Sequence, residues 1–256
     1  MGNKPLNLSA NEGKCVMSDG HLVVRDADGT SAERFRFLRF LAERELPVEM
    51  PISITEGKEI YAFAEAEKID PGVWDDAALT EVGKLVRALH DAGREYVPAE
   101  PAAFRPWYLR ELDGEERIWC HGDLAPWNLL TRGGVPHTLV DWEYAGPLDP
   151  FTEFARVCWL FVQLCDDDIA EMHGLPPVEK RAEQVRLLCD VYGLPAEKRR
   201  ELIERIMTVI ICETAHEAID PKLTPESTGS LWGFAWRTRS LYWIQRHRAL
   251  LERALR

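Results

Sequence analysis

The sequence predicts an α+β protein with a short β-rich beginning and a mainly helical remainder. Three observations predict it. Up to about residue 66, strand-like apolar pieces alternate with a single helical stretch. From Asp75 onward the apolar residues recur at helical spacing, and after Asp149-Pro150 they do so almost to the end. Between these regions lie three short apolar runs, RIWCHGD, NLL and HTLVDW, each with polar groups at its end. The division falls near residue 67, giving a small first unit (1–67) and a larger second one (68–256).

In order along the chain, HLVVR (21–25) reads as a strand. SAERFRFLRFLAERE (31–45) follows as a helix, with Ser31 as N-cap and Phe35, Leu38, Leu41 and Ala42 on one side. Pro47 and Pro51 end it, because the residue before a proline is pushed out of the helical region. EIYAFAE (59–65) is the next strand. Leu79, Val82, Val86 and Leu89 form the apolar stripe of a helix that stops near Gly93. The proline-rich PAEPAAFRPWYL (98–109) leads to the three short runs. Then come FTEFARVCWLFVQLC, EKRAEQVRLLCDVY (stopped by Gly193) and PAEKRRELIERIMTVIICETAHEAI. In a last helix, SLWGFAWRTRSLYWIQRHRALLERAL, residues Leu231, Phe234, Thr238, Leu241 and Gln245 share one side. There is no internal repeat and no low-complexity tail.

Composition narrows the class of function. The chain has 256 residues, 46% hydrophobic and 29% charged, enough to bury a sizeable core. A formal net charge of −12 argues against a protein that coats nucleic acid or anionic membrane. The basic C-terminal helix (Arg237, Arg239, Arg246, Arg248, Arg253, Arg256) reads as a solvated face. MGNKPLNLSANEG lacks the apolar core of a signal peptide, and no run approaches the ~18 apolar residues of a membrane span. The six cysteines show no CxxC pair and no metal spacing, so reduced thiols and a cytoplasmic location are expected. Most of the nine tryptophans are assigned to the core. Trp127 is the exception, because it lies between the two polar residues considered next.

CHGDLAPWNLL (120–130) sets Asp123 and Asn128 five residues apart around a proline, and TLVDWEYAG places Asp141 after the next apolar run. An Asx residue in a loop more often serves only as a turn or cap. As a set, the three point to chemistry. A carboxylate held on a turn can take a proton from a hydroxyl nucleophile. Asn128 offers a neutral carbonyl oxygen and Asp141 an anionic one, the ligand types that Mg²⁺ takes while keeping several waters. One acid as base, with one Asn and one Asp on a metal, is the layout for phosphoryl transfer from a nucleoside triphosphate.

HGDLAPWNLL followed by LVDWEYAGPLDP resembles the two signature motifs of the aminoglycoside phosphotransferase/choline kinase family. The compact form resembles the branch that includes trifolitoxin-immunity-type proteins. The resemblance implies a protein-kinase-like two-lobed fold, with Asp123 as catalytic residue and Asn128 and Asp141 on metal. It implies that His121 holds the loop, and that Asp149 and Glu153 pack it onto the next helix, Glu153 standing where the family usually has Asp. ALHDAG (88–93) resembles the family's LH-ending helix.

Kinase-like folds also set a basic residue on a strand against the phosphates, paired with a Glu from the following helix. Arg25 in HLVVR and Glu33 take those places, with Glu43 a rival acid and Lys14 a rival base. Phe63-Ala64-Glu65-Ala66-Glu67 is the expected hinge, so Glu65 and Glu67 are placed at the nucleotide base. There is no GxGxxG, and a phosphate-covering hairpin around 8–14 is expected without a motif to mark it.

The expected cofactors are ATP or GTP and Mg²⁺, and the expected partner is a small hydroxyl compound, an antibiotic by resemblance. A metabolic kinase acting on an amino alcohol or sugar, and a non-catalytic immunity or binding protein, are the alternatives. The acceptor is expected among the C-terminal helices, near the acidic run Cys165-Asp166-Asp167-Asp168 and the last helix. That run by itself reads as a solvated helix end.

Overall fold

The computed structural model describes residues 14–16, 22–68, 73–99, 102–219, 221–224, 227, 229 and 231–256. The expected hairpin around 8–14 thus lies outside the described residues, Lys14 excepted. The first sheet is antiparallel, β1 (Lys14–Val16), β2 (Leu22–Asp26), β4 (Lys58–Ala62) and β3 (Pro51–Thr55) in that spatial order. β2 pairs with β4 in a register that sets Arg25 opposite Glu59. Helix α1 (Ser31–Ala42) connects β2 to β3. On α1, Phe35 meets Tyr61 of the sheet at 5.1 Å between ring centroids, while Phe37 meets Trp119 of the second unit, also at 5.1 Å. One helix therefore carries apolar contacts to both parts of the molecule.

Residues 63–66 leave this sheet, and β5 (Glu67–Lys68) pairs with β7 (Leu129–Arg132), which pairs in turn with β8 (Val135–Leu139). A third sheet holds β6 (Ile118–Cys120) against β9 (Gly146–Leu148). The helices are α2 (Asp76–Glu95), α3 (Tyr108–Glu111), α4 (Pro150–Val162), α5 (Asp167–Met172), α6 (Val178–Tyr192), α7 (Ala196–Ile219) and α8 (Trp232–Ala254). Their ends follow local chemistry. Asp75 accepts from the Ala78 N–H and caps α2, and Asp149 caps α4 just before Pro150. Gly193 ends α6 in the left-handed region, at φ 75°. Every residue of α4 is buried, so this near-continuous apolar run is the central helix of the second unit. None of the described helices is long and apolar enough to cross a membrane.

Three expectations are corrected. The N-cap of α1 is Thr30, with Ser31 the first helical residue and its hydroxyl accepting from the Asp28 N–H. Pro51 does more than end a helix. It opens β3, whose residues alternate between buried and exposed too weakly to mark a strand. On α8 the buried side runs through Arg237, Ser240, Ile244 and Leu251, and Leu231 is exposed. The register was hidden because two of its inward residues are polar: Arg237 pairs with Glu217, and Ser240 bonds to the Trp236 carbonyl.

Candidate active site

The loop after β6 is fixed from below. Burial pushes His121 down and keeps it neutral, with Nε2 donating to the Val140 carbonyl at 3.0 Å and Nδ1 accepting from the Asp123 N–H at 3.2 Å. Gly122 has φ 85°, and a Cβ there would stand 2.1 Å from the Tyr144 carbonyl oxygen, so only glycine fits. Its N–H donates to Glu153 on α4, and Glu153 also meets His90 Nε2 at 2.9 Å. His121 and Glu153 thus hold the loop, as expected of them.

Asp123, at the top of the loop, is 18% exposed. One carboxylate oxygen meets Arg156 Nη2 at 2.8 Å, and the other accepts from Asn128 Nδ2 at 2.8 Å. Burial pushes this carboxyl up to about 6, against the pull of the Arg156 guanidinium. It remains a carboxylate at neutral pH, yet more basic than an ordinary Asp, which suits a proton acceptor. Both amide protons of Asn128 point at Asp123, one to the carboxylate and one to the backbone carbonyl, so its own carbonyl oxygen is turned the other way.

Asn128 precedes β7 and Asp141 follows β8. Leu129 pairs with Leu139, and the Val140 N–H donates to the Asn128 carbonyl, so the hairpin brings both residues to one end. Asp141 adopts the left-handed region, at φ 72°, which Asp tolerates better than most residues. An oxygen-only pair of one neutral and one anionic side chain fits a hard divalent cation.

Arg25 lies beside this pair. Its Nη1 donates to Glu49 at 2.6 Å, and its Nη2 stands 3.9 Å from Asp141. Its Nε is buried and has no partner among the described residues. Glu33 is not its partner. The Glu33 carboxylate accepts from the Tyr96 hydroxyl, the Ala99 N–H and Arg36, which turns it toward the end of α2. The acid at Arg25 is Glu49, which also accepts from the Asp141 N–H at 3.1 Å. Residues 47–49 lie parallel to β8, with Leu139 bonded to Pro47 and Glu49 on either side of a Val48 bridge. That non-local pairing has no local sequence signal, so Glu49 went unread.

Segment 63–67 connects the two sheets. The side chains of Glu65 and Glu67 are exposed, and their carbonyls accept from Arg132 and the Thr131 hydroxyl of β7.

On the other side of Asp123 opens a cavity of about 820 Å³ lined by Trp107, Trp127, Tyr144 and the facing ends of α7 and α8. An ion-pair chain, buried except at its Glu217 end, runs along its wall. Arg156 Nε meets Glu213 at 3.0 Å, Glu213 also accepts from the Tyr108 hydroxyl, and Arg237 pairs with both Glu213 and Glu217. Arg156 and Glu213 were not singled out from sequence, because each lies mid-helix without a motif, while Arg237, read as part of a solvated face, is instead buried. The acidic run 165–168 lies elsewhere: Asp166 and Asp168 pair with Arg239, and Asp167 accepts from Trp243 Nε1.

Residues 100–174 match the model of the phosphotransferase enzyme family. The chain is 38% identical to the trifolitoxin immunity protein of Rhizobium leguminosarum bv. trifolii over 99% of both chains. Its fold is similar to that of an amicoumacin kinase solved with AMP-PNP, Ca²⁺ and Ami, at TM-score 0.69 and 13% identity, over 93% of this chain and 87% of that one. A choline/ethanolamine kinase family protein from Mesorhizobium loti aligns at TM-score 0.60 and 16% identity, over 99% and 92%. The α+β fold is therefore the protein-kinase-like one that the motifs imply.

Proposed function

This chain belongs to the phosphotransferase enzyme family, and from that premise we propose that it moves the γ-phosphoryl group of ATP or GTP to a hydroxyl of a small antibiotic-like molecule. The observation that carries the proposal is the placement of Asp123. Its carboxylate is held by Arg156 and Asn128 at the mouth of the cavity, with the Asn128–Asp141 pair next to it. A hydroxyl entering from the cavity gives its proton to Asp123 as its oxygen attacks the γ-phosphorus, and the nucleoside diphosphate leaves on the opposite side. The rest of catalysis is positioning and charge neutralisation.

Asn128, through its carbonyl oxygen, and Asp141 would hold the Mg²⁺, which when bound neutralises charge on the phosphate oxygens. Arg25 takes the phosphates with its two-donor fork, oriented by Glu49, and its buried unpartnered Nε is consistent with a further acceptor there. The 63–67 segment meets the base through its backbone. Residues 1–67 and 68–256 act as the two lobes on either side of the nucleotide.

A non-catalytic immunity role is the second reading, favoured by the description of the 38% identical relative as an immunity protein. A mass-shift screen of hydroxyl-bearing antibiotics with ATP and GTP separates the two. An 80 Da gain that depends on Asp123 supports transfer; antibiotic binding without any gain, under either nucleotide, supports sequestration.

A further inference from the structure

We propose that the acceptor is a flat aromatic hydroxyl compound of low charge, and that this site selects against polycations. The inference rests on the phosphotransferase reading only in treating the cavity beside Asp123 as the acceptor side. Two observations carry it. The first is the wall. Trp107 stacks on Tyr144 with ring centroids 3.8 Å apart, and Trp127 and Trp232 face the same space while 46% and 52% exposed. Trp236 adds a further indole, held from behind by a stack on Trp159 at 5.2 Å. Large indoles left half in water around one concavity are a binding surface for a planar apolar face.

The second is the state of the acids. The described lining residues include three carboxylates, Asp123, Glu213 and Glu217. Arg156 holds Asp123 and Glu213, and Arg237 holds Glu213 and Glu217, so the three carboxylates share two guanidiniums and a single negative charge is left over. The Arg156 guanidinium also lies 5.8 Å from the centre of the Trp127 ring, occupying a cation's place over that indole. A polycation entering here meets only that one spare negative charge, and pairing its other charges would mean drawing a carboxylate off a buried arginine, which leaves an uncompensated charge behind. A neutral ring pays no such cost, and its hydroxyl needs only to reach Asp123.

The test is calorimetry on the full chain, titrated first with Mg²⁺ and AMP-PNP and then with phenyl β-D-glucoside, kanamycin or choline. The expected result is that phenyl glucoside binds at least about tenfold more tightly than either cation. Trp232→Ala, at an exposed position, is expected to weaken the glucoside by about tenfold and leave nucleotide binding alone. Arg237→Gln, which frees Glu217 and leaves Glu213 to Arg156, is expected to raise affinity for kanamycin or choline. Wild-type binding of either cation as tight as that of the glucoside overturns the proposal, and so does failure of the glucoside to bind protein that has bound nucleotide. Failure of the nucleotide titration itself defeats the phosphotransferase reading instead, while the ranking of the three probes on the free protein still decides the acceptor class.

Discussion

Asp123 carries more of the account than any other residue, and its surroundings make a sharp forecast. Positioned acid–base groups contribute about 10²–10⁴-fold, so Asp123→Ala should cut turnover by that factor and change nucleotide affinity little. A comparison of kcat with the nucleotide dissociation constant checks both halves. The two glutamates make a second forecast. Glu49→Gln, which weakens the charge-assisted hold on Arg25, should raise the nucleotide Michaelis constant by about tenfold. Glu33→Gln should leave it unchanged, because Glu33 is engaged with Tyr96 and Ala99. Steady-state kinetics of the two variants decides between the acids. Asp123, Asn128 and Asp141 were legible in the sequence because they lie within short stretches whose spacing the chemistry dictates. Glu49, Arg156 and Glu213 were not, because each gains its role from a partner 24 to 92 residues away, or from a helix packed against the loop.

At the scale of elements, α2, β6 and α4 form the bed on which the active-site loop lies. A Cβ at Gly93 of α2 would sit 1.8 Å from the Trp119 carbonyl oxygen of β6, so Gly93→Ala must push helix and strand apart. The expected cost is about 1–3 kcal/mol, readable by denaturant unfolding. Glu153 on α4 provides a pH test. Burial alone would raise its carboxyl, but bonds from His90 and the Gly122 N–H hold it below the ordinary glutamate value. A carboxyl lower in the folded than in the unfolded chain binds fewer protons when folded. It therefore contributes stability that is complete above the unfolded value and is lost as pH falls through the folded one. Unfolding free energy should thus fall from about pH 5 downward, and Glu153→Gln should flatten that slope while lowering stability at neutral pH. The longer helices were legible as helices, and α2 in particular buries Leu79, Val82, Val86 and Leu89 as read, while the short α3 and α5 were not read. β5 and β9 were not legible, since strands of two and three residues have too few positions for alternation to register and exist through their partners. β3, as long as β2, was missed because its alternation is weak. The misjudged side of α8 has the same origin: an inward arginine satisfied by Glu213 and Glu217 looks like a surface residue until its partners are known.

For the whole molecule, the claim is that two units joined through 63–67 and α1 bring a nucleotide and a small hydroxyl acceptor to opposite sides of Asp123. Only the eight residues from Trp142 to Asp149 separate Asp141 from α4, too few to lay out an extended peptide platform. On the far side of Asp123, α7 and α8 line a concavity, the side proposed for the acceptor. The most direct measurement is transfer of label from γ-labelled ATP and GTP, in Mg²⁺, to a mixed panel of hydroxyl-bearing antibiotics and aromatic glycosides alongside a peptide library, run with the wild-type chain and with Asp123→Ala. The account predicts label on one or more small hydroxyl compounds, lost with Asp123→Ala, and none on peptides. Label appearing chiefly on peptides, or moving at the same rate in both proteins, would contradict it.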